Sequence, residues 1–298
     1  KKQRVGYYDT YYYVKFYSFK GCQSYCSNNW IYLVHVSTSR FLSLFSAIEE
    51  TLKKAQSAKN FDWTISLSEH LLRNLAVNQA FVVNNRYSGR SSICTCCKEA
   101  ITVKFGDTSI GCTSVWHGNV DIILGSEVPV TAVDDDDDDD DLYEGNKSSF
   151  EIKPSAEFPA KHRDQLIAQS IVYSFLLKKE RPAYEHFLIP SIGIAKSHIV
   201  LFLYDSEHDI LLESNVIKLW TPGGHIITSS VIALWLAINF GFTCTGITEH
   251  MKNTSFHADF PTQVRNELKI YQACLSFGCG AGTVVKEMFE PEIYDIFF

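Results

Sequence analysis

Apolar positions along this chain recur at helical spacing in some stretches and alternate in others, and together they predict helices interleaved with strands. Within residues 40–59, the stretch FLSLFSAIEETLKKAQ places its charges on one helical face. A second helix is predicted from Ser66 or Ser68, whose hydroxyl can cap it, through EHLLRNLAVNQAF. Strand-like segments follow at ICTCC, AITVKF and CTSVWHGNVDIIL, and again at SSFEIK after a long polar interval. After a turn at Pro154–Pro159, a long helix is predicted from Ala160 through KHRDQLIAQSIVYSFLLKK, then strands at HFLIPSIGIA and HIVLFLY. The run from Val231 to Phe242 is too short to span a bilayer and contains Asn239, so it reads as a buried helix. The last third mixes helices with glycine-rich turns at TPGGH and FGCGAG. No internal repeat is present, and the order of elements predicts an α/β or α+β domain.

Composition changes this picture little, and charge changes it more. With 298 residues, 46% hydrophobic and 20% charged, the chain can bury a large core. Residues 1–40 are dense in aromatics, as in YYDTYYYVKFYSF and NNWIYLVHV, which reads as strands or an aromatic flanking layer. The net charge of −7 rests on the run Asp134–Asp141, whose eight charges turn the balance to +1 when removed. Such a run repels itself and is expected to be a solvated loop, so the rest of the chain need not repel a polyanion. A calcium-binding segment, or an autoinhibitory mimic of nucleic acid, is the less favoured reading of the run.

Nine cysteines, an odd number, with no leader peptide argue for reduced thiols and a nuclear or cytoplasmic, intracellular protein with no membrane span. The first residue is Lys rather than Met, which suggests a piece of a longer chain. Cys94, Cys96, Cys97 and Cys112 are the candidates for a zinc site. The run C-x-C-C is read as lacking the C-x2-C knuckle, so buried apolar thiols are expected instead.

The chemistry centres on SFEIK. In a strand Glu151 and Lys153 point to one face while Phe150 and Ile152 point to the other. A surface ion pair is the plain explanation. The sharper one needs a second carboxylate, and Asp121 in VWHGNVDIILG can supply it if its strand forms a hairpin with the Glu151 strand, the acidic run closing the loop. Two carboxylates so placed repel unless a cation lies between them, and oxygen ligands suit Mg²⁺ or Mn²⁺. Such an ion can stabilise charge on a phosphodiester and lower the pKa of a bound water, with Lys153 beside it. On the following helix Gln165, Gln169 and Tyr173 fall at i, i+4, i+8, a polar stripe that suggests a groove with donors for phosphates. Lys161, His162 and Arg163 would put positive charge at its mouth, making these three and Tyr173 the nucleic-acid contacts. His117 would share the face of Asp121, although a lone histidine near a strand is more often structural.

Gly118-x-x-Asp121, Glu151-Ile152-Lys153 and Gln169-x-x-x-Tyr173, in that order, resemble the PD-(D/E)XK nuclease superfamily, in its RecB and lambda-exonuclease-like branch, over about residues 66–205. The resemblance implies a restriction-endonuclease-like αβββαβ core with a mixed sheet and an Mg²⁺-dependent phosphodiesterase acting on nucleic acid, with DNA favoured. It implies Asp121 and Glu151 as metal ligands, joined by Ile152, and Lys153 as the catalytic lysine. Glu69 on the first core helix is the candidate for a further acidic ligand, with Glu49 or Glu50 behind it. Gln165 could take the place of Gln169. The chain then divides into an aromatic segment at 1–60, a nuclease-like core at 61–205 and a helical, turn-rich extension at 206–298 packed on that core. The rival class is a catalytically silent nucleic-acid-binding or interaction module on the same fold. No G-x-S-x-G is present, and GCGAGT lacks the lysine of a phosphate loop, which argues against a serine hydrolase or a nucleotide-binding enzyme.

Overall fold

The computed structural model describes residues 49–53, 60–76, 80–88, 93–94, 97–125, 127–133, 160–244, 246–252 and 256–278. Glu151, Ile152, Lys153, the acidic run and residues 1–48 lie outside them. The first full helix, α1, starts at Asn60, earlier than its serine caps suggested. It runs Asn60–Leu67, continues through a π-helical turn Ser68–Leu72 and ends with Arg73–Leu75. The reason lies in its burial: Trp63, Ile65, Leu67, Leu71, Leu72 and Leu75 all sit in the core, so packing rather than a cap defines the start.

The main sheet has eight strands: β1 (Phe81–Asn84), β2 (Phe105–Gly106), β5 (Ile122–Leu124), β6 (Val128–Ala132), β7 (Ile189–Ile194), β8 (His198–Asp205), β9 (Ile210–Glu213) and β10 (Ile217–Lys218). Its order is β10-β8-β7-β6-β5-β1-β2, with β9 also paired to β8. Neighbours β1, β5 and β6 run antiparallel, whereas β6 and β7 are parallel, so the sheet is mixed. A parallel pair requires a crossover, and helix α2 (Ala160–Glu180) lies within it. All six residues of β7 are buried, as expected of a strand covered on both faces. Helix α2 packs on β7 and β8, and α3 (Thr228–Ile238) packs on β7 and on the end of α1.

A second sheet, β11-β3-β4, joins β3 (Ser109–Gly111) and β4 (His117–Asn119) to β11 (Ser276–Phe277). The single strand expected over CTSVWHGNVDIIL is therefore divided between two sheets, with Asp121 at the bend one residue before β5. The C-terminal part supplies strands to both sheets, and Leu268–Ala273, here α4, packs on α2. The run expected as a buried helix forms α3 and the short turn after it, with Ile232 and Phe242 left exposed. No helix among the described residues is long and apolar enough to cross a membrane.

The expected hairpin between the Asp121 strand and the Glu151 strand is not the pairing found. β5 lies between β1 and β6, so both its edges are taken. The turn is set locally: Gly125, at φ 57°, closes it, and the Glu127 amide donates to the Leu124 carbonyl at 2.9 Å.

Two polar contacts hold the layers in place. At the C-terminal end of α2, the Lys178 ammonium is buried against the Asp205 carboxylate at the end of β8 and also donates to the Glu185 carbonyl at 2.7 Å. Asp205 accepts further from the His208 amide at 2.9 Å and lies 2.8 Å from His208 Nδ1. Within residues 49–53, Glu49 accepts from Lys53 Nζ at 2.7 Å and from the Ile226 amide at 3.2 Å, with His225 Nδ1 at 2.9 Å. The Lys53 contact, reinforced by His225 and Ile226 against partial burial, holds the Glu49 carboxyl down to about 2.

Asp205→Ala should cost about 3–5 kcal/mol in chemical denaturation, because it leaves Lys178 charged and unpaired in the interior. Replacing both residues by apolar ones should recover much of that loss. Because the carboxyl of Glu49 titrates below its ordinary 4.5, its stabilisation is complete above that value and is lost as pH falls toward about 2. Glu49→Gln should accordingly lower the urea midpoint at pH 7 and leave it nearly unchanged near pH 2. A difference that persists in acid would mean that the charge of Glu49 is not the source.

Candidate functional site

The Asp121 carboxylate is buried at the junction of the two sheets, where an unpaired oxygen would be costly. Three donors meet it. Oδ1 takes the Arg86 guanidinium and the Tyr87 hydroxyl, the latter at 2.8 Å, and Oδ2 takes the Ala132 amide at 2.8 Å. Arg86 and Tyr87 follow β1 in a short 3-10 turn whose shape is set by Asn84: its side-chain oxygen accepts from the Arg86 amide at 2.8 Å. The Asn84 amide group in turn donates to Thr108 Oγ1 at 2.7 Å, fastening the turn to the residue just before β3. The Arg86 guanidinium lies 4.8 Å from the centre of the Tyr87 ring.

The electrostatics follow from this packing. Burial pushes the Asp121 carboxyl above its ordinary range, and Arg86, Tyr87 and the Ala132 amide pull it back. Burial lowers the Arg86 pKa, but the Asp121 carboxylate and the Tyr87 hydroxyl together outweigh it and the net shift is upward. Burial, with the adjacent carboxylate, pushes the Tyr87 phenol up to about 12, so it stays a donor at neutral pH. An ionised carboxylate offers about four acceptor positions. Among the described residues three donors take three of these positions, two on Oδ1 and one on Oδ2.

Gln169 comes to the same place from the other side. It accepts from Thr131 Oγ1 at 2.8 Å and donates to the Asn119 carbonyl at 3.1 Å. Thr131 precedes Ala132, and Asn119 stands two residues before Asp121, so one buried amide links α2 to both strands that frame the carboxylate. Gly118 is required here by close approach, since a Cβ on it would lie 2.7 Å from the Trp116 indole.

Other candidates fall elsewhere. Gln165 is exposed, whereas Gln169 and Tyr173 are buried, so the three do not form an open polar stripe. Residues 169–178 of α2 are buried throughout because β11, α4 and Phe260 cover the outer face of the helix. Tyr173 packs edge-on against Phe277 with ring centres 5.7 Å apart, and its hydroxyl makes no hydrogen bond among the described residues. Its side chain is thus not offered to nucleic acid, and burial raises its pKa far above the ordinary phenol. Arg163 is exposed but holds Glu213 in a two-pronged ion pair, which neutralises the charge expected at a groove mouth. His162 is half-buried, and Lys161 lies in the first turn of α2. His117 is exposed on β4. Glu69 does not join Asp121: its Oε1 takes Arg73 at 2.9 Å and the Thr102 hydroxyl at 2.5 Å. Glu49 faces Lys53 and His225, as described above.

Arg86, Tyr87 and Thr131 carry no motif that would have announced them. Their link to Asp121 and Gln169 is made by strand pairing and helix docking across tens of residues. Neither a family model, nor a curated protein, nor a solved structure matches this chain.

Proposed function

We propose that the chain is a metal-dependent nuclease whose site is built around Asp121, with Glu151 and Lys153 completing it from the segment that joins β6 to α2. The observation that carries this reading is the position of the Asp121 carboxylate. It accepts from the Ala132 amide at the end of β6, one residue before Val133, and the segment that carries Glu151 and Lys153 follows Val133 in the sequence. The order of elements also supports it. With β2, β3 and β4 set aside as insertions between β1 and β5, helix α1, strands β1, β5 and β6, helix α2 and strand β7 follow in αβββαβ order, with β1, β5 and β6 antiparallel and β6 parallel to β7. Gln169, the glutamine of the Gln-x-x-x-Tyr element, adds support through its hydrogen bonds beside the carboxylate's own strands.

The donor chemistry fits a hard divalent cation, since Asp121 offers carboxylate oxygen. Asp121 and Glu151 would hold Mg²⁺ or Mn²⁺, and such an ion supplies positive charge against a scissile phosphodiester. Lys153 would place an ammonium beside the developing negative charge. Arg86, already fixed on Asp121 and more than half exposed, would hold that carboxylate in place and present its outer edge to the phosphate backbone. Gln169 would act as a positioning residue through Thr131 and the Asn119 carbonyl. The favoured substrate is nucleic acid, DNA before RNA.

One observation favours a second reading, a catalytically silent nucleic-acid-binding or interaction module. Arg86 already compensates the Asp121 charge, as a cation would.

Single-turnover cleavage of linear and circular, single- and double-stranded DNA and RNA, in Mg²⁺, Mn²⁺ or EDTA, decides between the two. Glu151→Gln, Lys153→Arg and the near-isosteric Asp121→Asn should each slow cleavage roughly a hundredfold or more, in the range of a lost electrostatic catalyst. Binding measured in Ca²⁺ should survive in all three. Absence of metal-dependent cleavage by the unaltered chain, with binding retained, would establish the silent module. Near-normal cleavage by Lys153→Arg would reduce Glu151 and Lys153 to an ion pair.

A further inference from the structure

A second cluster, on the other end of the β1–β5 region's chain, is built from different atoms. His70 Nε2 lies 3.3 Å from Cys94 Sγ and 3.6 Å from Cys97 Sγ, and the three atoms all fall within 4.8 Å of one another. Among the described residues no other group of three or more histidine, cysteine or acidic side chains converges in this way. Cys94 is buried, while His70 and Cys97 are half-buried. Cys94 lies in the apolar core and Cys97 packs against it, as expected of buried thiols. The premise drawn from the spacing is corrected: Cys94 and Cys97 are themselves spaced C-x2-C, with Cys96 nested between them.

The local backbone is a tight turn that carries both sulfurs. The Cys94 amide donates to the Glu99 carbonyl at 2.8 Å, the Lys98 amide donates to the Cys94 carbonyl at 3.0 Å, and Ile93 bridges Ala100. Lys98 takes φ 63°, a left-handed conformation unusual for a lysine, which turns the chain just after the second sulfur. Opposite it, His70 projects from the π-helical turn Ser68–Leu72, and π turns are frequent where a helix must aim a side chain.

We propose that His70, Cys94 and Cys97 bind a structural zinc ion that pins this turn to α1. Zinc sits about 2.3 Å from sulfur and about 2.0–2.1 Å from imidazole nitrogen, so tetrahedral ligation sets sulfur and nitrogen about 3.6 Å apart. The Cys97 distance of 3.6 Å equals that value and the Cys94 distance of 3.3 Å falls a little short of it. One nitrogen and two soft sulfurs suit Zn²⁺ and disfavour Mg²⁺. Two thiolates neutralise the ion, so the half-buried site carries no net charge. Each thiol gives up a proton to solvent as its sulfur–zinc bond forms, with no change of oxidation state. Three protein donors leave a fourth position for water or for a ligand outside the described residues. The neighbouring Glu69–Thr102 contact fastens the same two segments, so zinc would lock an approach the fold already makes. This site is independent of the nuclease reading and uses none of its residues.

The full chain, purified reduced, should retain about one zinc per molecule after dialysis, read by elemental analysis. Cobalt exchanged for zinc should give the intense near-ultraviolet thiolate charge-transfer bands and the visible bands of a tetrahedral site. Chelation should lower the melting temperature, and zinc should restore it. His70→Ala, Cys94→Ser and Cys97→Ser should each abolish the cobalt bands, whereas Cys112→Ser, Cys274→Ser and Asp121→Asn should keep them. The cobalt spectrum of the unaltered chain needs no variant to fold. No thiolate band in that spectrum, a Cys94–Cys97 disulfide in freshly reduced protein, or bands that persist in the three ligand variants would overturn the proposal.

Discussion

A carboxylate taken out of water must find donors for its oxygens, and Asp121 finds them in separate stretches of the chain. Arg86 and Tyr87 arrive from the turn after β1 and the Ala132 amide from the end of β6. Satisfying that one group therefore fixes how three strands lie together at the junction of two sheets. Helix α2 is registered against the same junction by Gln169 and is anchored at its far end by Lys178 on Asp205. Moving the helix by one turn would break the amide contacts and leave a buried ammonium unpaired, at a cost large against the net stability of a domain.

Much of the framework was legible because it is locally dictated. Helix α2 and strands β7 and β8 are long, strongly patterned segments, and they appear where the spacing of apolar residues placed them. Strand β6 was missed. It is short, carries Pro129, and pairs with β5 through a tight turn that hydropathy alone does not distinguish from the end of one strand. The helical stripe at Gln165, Gln169 and Tyr173 was read correctly as spacing and wrongly as exposure. Periodicity tells which residues share a face, but not that β11, far along the chain, covers part of it. The same limit hid Arg86 from Asp121 and Glu213 from Arg163.

The two candidate sites differ in the way that the chemistry of their donors requires. Around Asp121 the atoms are oxygens, backed by a guanidinium and a phenol that keep the anion in place. Around His70 they are sulfur and imidazole nitrogen, on a turn that closes by its own hydrogen bonds. The acidic positions first considered as one group are thus dispersed: Glu69 braces α1 against Thr102, and Glu49 ties residues 49–53 to the loop before α3.

The parallel pairing of β6 with β7 has a consequence for chain length. A chain that must return to the start of a parallel neighbour makes a long excursion. The entropy of closing a loop grows only logarithmically, so doubling the length of a flexible one costs about 0.6 kcal/mol in general. The octa-aspartate falls in the sequence between β6 and α2, whereas the connection between β5 and β6 is a tight turn fixed by Gly125 and the Glu127–Leu124 hydrogen bond.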